Sequence, residues 1–293
     1  VPQRIAAIIG HAEEFALLAT CLRHHERLGV EAFYVSADAE AVAAQRPLLD
    51  RLARRADVRI HYRHESEVDA FHFLSSALRE TVAWCEPNWV LVIDSDEFCA
   101  CAEGRLQLTP VLRDADIITL PRFNIPLHRG WFRRPFDERM LRGRSVPLVV
   151  RPHAVDLTNR AATMWPPWIL GPIAPKLLLR PTAIAALGTA GHSAIPVDAS
   201  QRRAVATSMC VMHLPFTTFA RFRRKAERIR EKFPYLDARF AANQAHHWKR
   251  WAVIAERGEL ATEFTSQSFD RSTFAALVAD GTIATVGSWL NQS

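Results

Sequence analysis

The chain is short of glycine, with 11 in 293 residues, and it contains no GxxxxGK[ST], no GxGxxG, no GxSxG and no HExxH. The fingerprints of P-loop, dinucleotide-binding, nucleophile-elbow and zincin proteins are therefore missing. No apolar run approaches the roughly 18–20 residues that span a bilayer. The start, "VPQRIAAIIGHAEEF", places acids directly after a short apolar run, which reads as a first strand and not as a signal peptide. The five cysteines, Cys21, Cys85, Cys99, Cys101 and Cys210, are odd in number and scattered. Cys99 and Cys101 form a lone CxC with no second pair at zinc-site spacing. This argues against a disulfide framework and a structural zinc, and for a reducing, cytoplasmic setting. Lysine is scarce as well. Nearly all basic residues are Arg, and the formal net charge is +6. The Arg excess fits phosphate recognition, because the guanidinium fork binds phosphate oxygens in pairs, and it equally fits a GC-rich genome. It points to anionic partners such as nucleotides, lipid headgroups or nucleic acid.

What is present is an ordinary globular composition with a strong order of elements. Residues 4–10 and 30–38 read as apolar strands, 57–64 as an alternating one, and 88–94 and 115–124 as further strands. Helical spacing fills the intervals at 13–29, 39–56 and 68–85. This alternation predicts an α/β fold with an open, mainly parallel sheet and helices on both faces. Residues 122–175 are rich in Pro, Trp and Arg, and predict irregular acceptor-binding or packing loops with short strands at 147–152 and 175–181. A strand follows at 204–214, and then helices at 216–233, 236–258 and 270–281. The expected domains are a catalytic domain over 1–235 and a helical extension over 236–293 packed on it.

The chemistry concentrates in "NWVLVIDSDEFCA", where a continuous apolar run ends in Asp94, Asp96 and Glu97. In parallel sheets ligands bind beyond the carboxyl ends of the strands, and these acids sit at such an end. Crowded carboxylates repel one another, so a cation must compensate. Hard carboxylate oxygens suit Mg2+ or Mn2+, and such a metal can neutralise a departing diphosphate. Dehalogenase-type phosphatases also use DxD after a strand, but on their first strand and followed by Thr or Val. Here it follows about the fourth strand and precedes Glu-Phe.

"WVLVIDSDEF" resembles the DxDEF segment of bacterial family-2-like glycosyltransferases with a GT-A fold, related to family 92-type enzymes. Three more segments resemble that family in the same order: residues 13–38, "PKLLLRP…GH" at 175–192, and "MHLPFTTFARFRRKAERI" at 212–229. The resemblance spans roughly residues 4–232. It implies a GT-A-like, Rossmann-like, mainly parallel mixed sheet flanked by helices, with a C-terminal helical extension. It also implies a divalent metal, Mn2+ or Mg2+, held by Asp94, Asp96, His192 and His213. Donor contacts would come from Glu14, Asp38, Asp94, Lys176, Arg180 and Lys225, and Glu97 would orient the metal site or accept from the sugar. Where the family has Asn-Glu this chain has Glu13-Glu14. Cys21 replaces a usual Trp, and "SADAE" replaces the usual acid-rich segment after the second strand.

The expected function is a metal-dependent transfer of sugar from a nucleotide-sugar donor to an acceptor hydroxyl, with inversion, in surface polysaccharide or glycoconjugate synthesis. A carboxylate would act as general base. Asp137 and Glu138 are the preferred candidates, with Asp156 and Asp198 as others. The acceptor would be a glycan, a lipid-linked sugar or a protein, and no nucleic acid is expected. The competing expectations are a sugar nucleotidyltransferase, and a degenerate GT-A fold that binds nucleotides without catalysis. The acidic "GHAEEF" loop speaks against the nucleotidyltransferase, and the intact DSDEF against the degenerate fold. His24-His25 and His246-His247 read as ordinary helix faces. The basic cluster from Arg221 to Arg230 reads as a solvated face or as a surface meeting anionic lipid at the inner side of the membrane. Phe216, Phe219 and Phe222 read as core.

Overall fold

The computed structural model describes residues 3–10, 15–37, 39–54, 56–62, 70–106, 108–130, 141, 143–155, 166–188, 191–239 and 246–291. The chain forms two compact units. One comprises residues 1–122, 174–213 and 290–293; the other comprises 123–173 and 214–289. Residue 235, the expected boundary, lies inside a helix of the second unit.

The first unit opens with β1 (Ile5–Ile9), α1 (Phe15–Arg27), β2 (Val30–Ala37), α2 (Ala39–Leu52), β3 (Asp57–Tyr62), α3 (Ala70–Cys85) and β4 (Trp89–Ile93). This is the alternation expected from the sequence. Then come β5 (Glu97–Cys101), the single turn α4 (Pro110–Arg113), β6 (Ile117–Leu120) and β7 (Arg122–Asn124). Pro121 interrupts what the sequence presented as one strand. Proline lacks the N–H that a continuous ladder needs. The second unit contributes β8 (Leu127–His128) and β9 (Pro147–Val149). The chain returns to the first unit with β10 (Lys176–Leu179), β11 (Ile184–Leu187), β12 (Ala194–Pro196), β13 (Arg203–Val205) and β14 (Met209–His213).

Seven of these strands form one sheet in the order β13-β6-β10-β4-β1-β2-β3. β3, β2, β1 and β4 run parallel; β10 runs antiparallel between β4 and β6, and β13 is parallel to β6. The fold is thus α/β with a mainly parallel, mixed sheet flanked by helices. β1 and β4 are buried along their whole length. Only strands covered on both faces can be apolar at every position. Leu74, Ala77 and Leu78 of α3 cover one region of the sheet, against Ile8, Tyr34, Val90 and Val92. Each such side chain contributes about 1.5–3 kcal/mol by leaving water.

The second unit ends with α5 (Phe219–Arg239), α6 (His246–Glu256), α7 (Leu260–Ser266), β15 (Ser268–Phe269), α8 (Arg271–Ala279), β16 (Ile283–Thr285) and the short α9 (Val286–Leu290). This segment was expected to be purely helical. Instead β15 pairs with β8 and β16 pairs with β9, which ties it to the Pro-rich middle of the chain. Phe222, Ala226 and Ile229 form the buried stripe of α5, while Arg223, Arg224 and Arg230 are exposed. Phe216 and Phe222 join Trp168 and Trp251 in an aromatic core, as the phenylalanine spacing predicts; Phe219 lies at its margin. Beside that core, Arg250 and Glu263 make a completely buried two-point ion pair at 2.7 and 3.1 Å. Among the described residues no helix is long and apolar enough to cross a membrane.

Candidate active site

Four strands of the first unit bring their ends to one edge. β1 ends at Ile9, β4 at Ile93 and β6 at Leu120, which leaves Gly10, Asp94 and Arg122 just beyond them. Antiparallel β10 begins at the same edge with Lys176, which is paired in register with Leu120. Polar side chains can be functional here because the backbone beyond a strand end no longer has sheet partners. A tight turn then connects β4 to β5. The Glu97 N–H donates to the Asp94 carbonyl at 3.1 Å, and the Asp94 N–H donates to Glu97 Oε2 at 2.8 Å. The Glu97 carboxylate therefore folds back under the turn.

Glu97 is completely buried, and three donors hold it. Lys176 Nζ approaches Oε2 at 3.1 Å, Arg122 donates to Oε1, and the Asp94 amide supplies the third. Burial alone would raise its pKa, but Lys176 and then Arg122 outweigh that effect and hold it down at about 2. The same ammonium donates to Asp94 Oδ2 at 2.8 Å. The compensating charge implied by the acid cluster is thus first of all Lys176 and Arg122. Three carboxylates and two fixed cations thus gather around one turn.

Asp96 is 7% exposed, and its Oδ2 lies 3.7 Å from His213 Nε2, beyond hydrogen-bond reach of one another. His213 stands opposite Glu97 in the β5–β14 ladder. Donor atoms of Asp96, Glu97 and His213 lie within 4.8 Å of one another. Two ligands at about 2.1 Å from one ion are separated by about 3–4 Å, so Asp96 and His213 fit a divalent cation. Glu97 fits less well, because its oxygens already accept from Lys176, Arg122 and the Asp94 amide.

Several expectations change on these distances. Asp94 and His192 were expected as metal ligands, but neither belongs to the convergent group. Asp94 is bound to Lys176 and keeps 22% of its side chain exposed, so it can face a ligand. The His192 Nδ1–H donates to the Pro175 carbonyl at 2.8 Å, which leaves Nε2 as a neutral acceptor. Burial, with Lys176 and Arg122 nearby, lowers its pKa to about 4. Glu97 cannot accept from a sugar, because no solvent reaches it and both oxygens are engaged. Its part is to position the cations and the turn.

Arg180 is not on the floor of this site. It follows the far end of β10, four residues from Lys176, or about 13 Å of extended chain. There its guanidinium lies over Trp89, the first residue of β4, and donates to the carbonyls of Ala115 and Arg113. Asp198 is exposed, and its carboxylate accepts from the Ser200 amide. Its neighbour Val197 is bonded to Ala183, on the Arg180 side of the sheet. Lys225 belongs to α5 of the second unit. Glu14, Asp38, Asp137, Glu138 and Asp156 lie outside the described residues.

Sequence reasoning missed Arg122. The strand-end rule that singled out Asp94 would also have found it, since it follows "IITLP". It also read His24-His25 as an ordinary helix face with no particular part to play. His25 is completely buried. Its Nδ1–H donates to the Cys21 carbonyl at 2.9 Å, and its Nε2 accepts the Cys99 N–H at 3.2 Å. Burial first, and then the neighbouring His24 ring, lower its pKa to about 3.

No protein-family model and no curated protein matches this chain. Among solved structures it is similar to one described as "Crystal structure of HddC from Yersinia pseudotuberculosis", at 12% identity and a TM-score of 0.26, over 45% of this chain and 67% of that one. A likeness at that level determines neither fold nor activity.

Proposed function

We propose that this protein is a metal-dependent glycosyltransferase of the GT-A type, which moves a sugar from a nucleotide-sugar donor to an acceptor hydroxyl. The observation that carries this proposal is the pairing of Asp96 with His213. Two buried metal-ligand side chains stand 3.7 Å apart at the carboxyl edge of a parallel sheet, beside a carboxylate that two cations already neutralise. The resemblance of "WVLVIDSDEF" to the DxDEF segment supports the same conclusion.

In this scheme Asp96 and His213 hold Mn2+ or Mg2+. The ion, when bound, supplies Lewis-acid stabilisation to the departing diphosphate. Asp94, fixed by Lys176 and partly open to solvent, contacts the donor. Glu97 keeps Lys176 and Arg122 in place at the edge where the donor's diphosphate is received. Asp137 or Glu138 takes the proton of the acceptor hydroxyl.

Thermal shift with UDP-, GDP-, CDP- and dTDP-sugars, each with Mn2+, with Mg2+ and with chelator, tests the proposal. At least one nucleotide sugar should stabilise the protein only when metal is present, and the same donor should be hydrolysed slowly. An Asp96→Asn variant with full turnover, or a wild-type protein that no nucleotide sugar stabilises under any metal condition, would overturn it.

A further inference from the structure

We propose that Cys21, His24 and His25 form a positioning strip that takes the place of a neighbouring strand along one edge of β5 and thereby holds the Asp96–Glu97 turn in register. The metal arm of the test below rests on the function proposed above; the positioning role does not.

β5 is hydrogen-bonded to β14 along one edge. Neither polar backbone group of Cys99 is left to solvent, for the residue is 1% exposed. Its N–H donates to His25 Nε2 at 3.2 Å, and its carbonyl accepts from His24 Nε2–H at 2.7 Å. Two residues earlier, the Glu97 carbonyl accepts from the Cys21 thiol at 3.5 Å. Residues 97 and 99 are two apart, as they must be if both point to the same strand edge. Cys21, His24 and His25 are spaced i, i+3, i+4, which places all three on one face of a helix. One helix face thus meets one strand edge, with donors and acceptors matched.

The match requires a single tautomer of His25. The Cys21 carbonyl takes the Nδ1 proton, so Nε2 is left as the acceptor for Cys99. The His24 ring also meets the edges of the His25 and Phe98 rings, at centroid distances of 5.1 and 5.5 Å. The strip meets β5 at its backbone. It acts through the backbone of β5, whose first residue anchors Lys176 and Arg122 and whose predecessor faces His213. Preorganisation of this kind typically changes metal affinity by about 10–100-fold.

The test compares His25→Phe, which keeps a flat ring without nitrogens, with His25→Gln, which retains a donor and an acceptor. Leu277→Ala, a core truncation in the second unit, serves as a control for general destabilisation. Hydrogen exchange of the 94–101 peptide is read alongside Mn2+ affinity of the protein alone. His25→Phe should speed exchange in 94–101 and weaken Mn2+ binding, each by about 10-fold. His25→Gln should restore most of both, and Leu277→Ala should change neither. Wild-type protection of 94–101 in His25→Phe, or equal behaviour of the Phe and Gln variants, would overturn the proposal. If the wild-type protein takes up no Mn2+, the exchange result still decides the positioning role, and the metal assignment alone falls. Should His25→Phe fail to fold, His24→Phe removes the bond to the Cys99 carbonyl while keeping a ring, and is read by the same two measurements.

Discussion

Lys176 Nζ lies 3.1 Å from Glu97 Oε2, and neither side chain is reached by solvent. A buried pair of this kind contributes little net stability, but breaking it is costly, because the remaining buried charge loses one of its partners and gains no water in exchange. Lys176→Met should therefore destabilise the protein by about 3–5 kcal/mol in urea unfolding. Adding Glu97→Gln to that variant should recover part of the loss, with a coupling energy of at least about 1 kcal/mol. Strict additivity of the two changes would contradict the ion pair.

Stability should fall with acid in two separable windows. His25 has its folded pKa lowered from 6.5 to about 3. Between those values the unfolded chain binds a proton that the folded chain refuses, so stability drops as the pH falls from 6.5 toward 3. In the fold Nε2 accepts the Cys99 N–H, and a proton on Nε2 would displace that bond. Glu97 has its folded pKa held at about 2 against a usual 4.5, so the stability it contributes is complete above 4.5 and is lost as the pH falls toward 2. Each pH unit inside a window costs up to about 1.4 kcal/mol per group. Urea unfolding from pH 7 to 3.5 should show His25→Gln flattening the slope from 6.5 downward. Glu97→Gln should change it only below about 4.5.

Asp96→Asn should separate metal binding from folding. The substitution removes a carboxylate that repels the neighbouring Glu97, so the metal-free protein should melt at the wild-type temperature or above it. The rise in melting temperature that Mn2+ gives the wild type should be absent. Thermal scans with Mn2+ and with chelator would show this, and an unchanged Mn2+ response would remove Asp96 from the metal site.

Gly191 and Gly29 both have positive φ, at 69° and 98°, but their surroundings differ. A Cβ on Gly191 would collide with Val92 Cγ1 on β4, whereas one on Gly29 meets nothing within 4 Å. Gly29→Ala should cost only the backbone strain, about 1–2 kcal/mol. Gly191→Ala should cost clearly more, and should also disturb the neighbouring His192. Comparing the two variants in urea is enough to check this, and equal losses would mean that the Gly191 turn yields freely.

Much of the first unit was legible in the chain. The runs at residues 5–9 and 89–93 are apolar at every position, and only a strand covered on both faces tolerates that. β5 was not legible. "EFCAC" carries no clear alternation and begins inside the acid cluster, so it did not stand out as a strand. The pairing of the C-terminal β15 and β16 was hidden for a related reason. Strands of two and three residues are defined by their partners rather than by a pattern of their own. His25 was misread because an amphipathic pattern counts a histidine as polar, whereas a ring with both nitrogens satisfied can be buried.

By itself the sequence determined that a buried strand delivers Asp94, Asp96 and Glu97 to the ligand edge of a parallel sheet, and that these acids require cations. Burial follows from composition, and the strand's direction follows from the alternation of elements. Only the tertiary structure decided which cation meets which acid. Lys176 is 82 residues from Asp94 and Arg122 is 25 from Glu97, while Arg180, the nearest alternative to Lys176 along the chain, points to the other end of the sheet. Those pairings depend on an antiparallel strand inserted between two parallel ones, and strand order is a property of long-range contacts that local patterns do not encode.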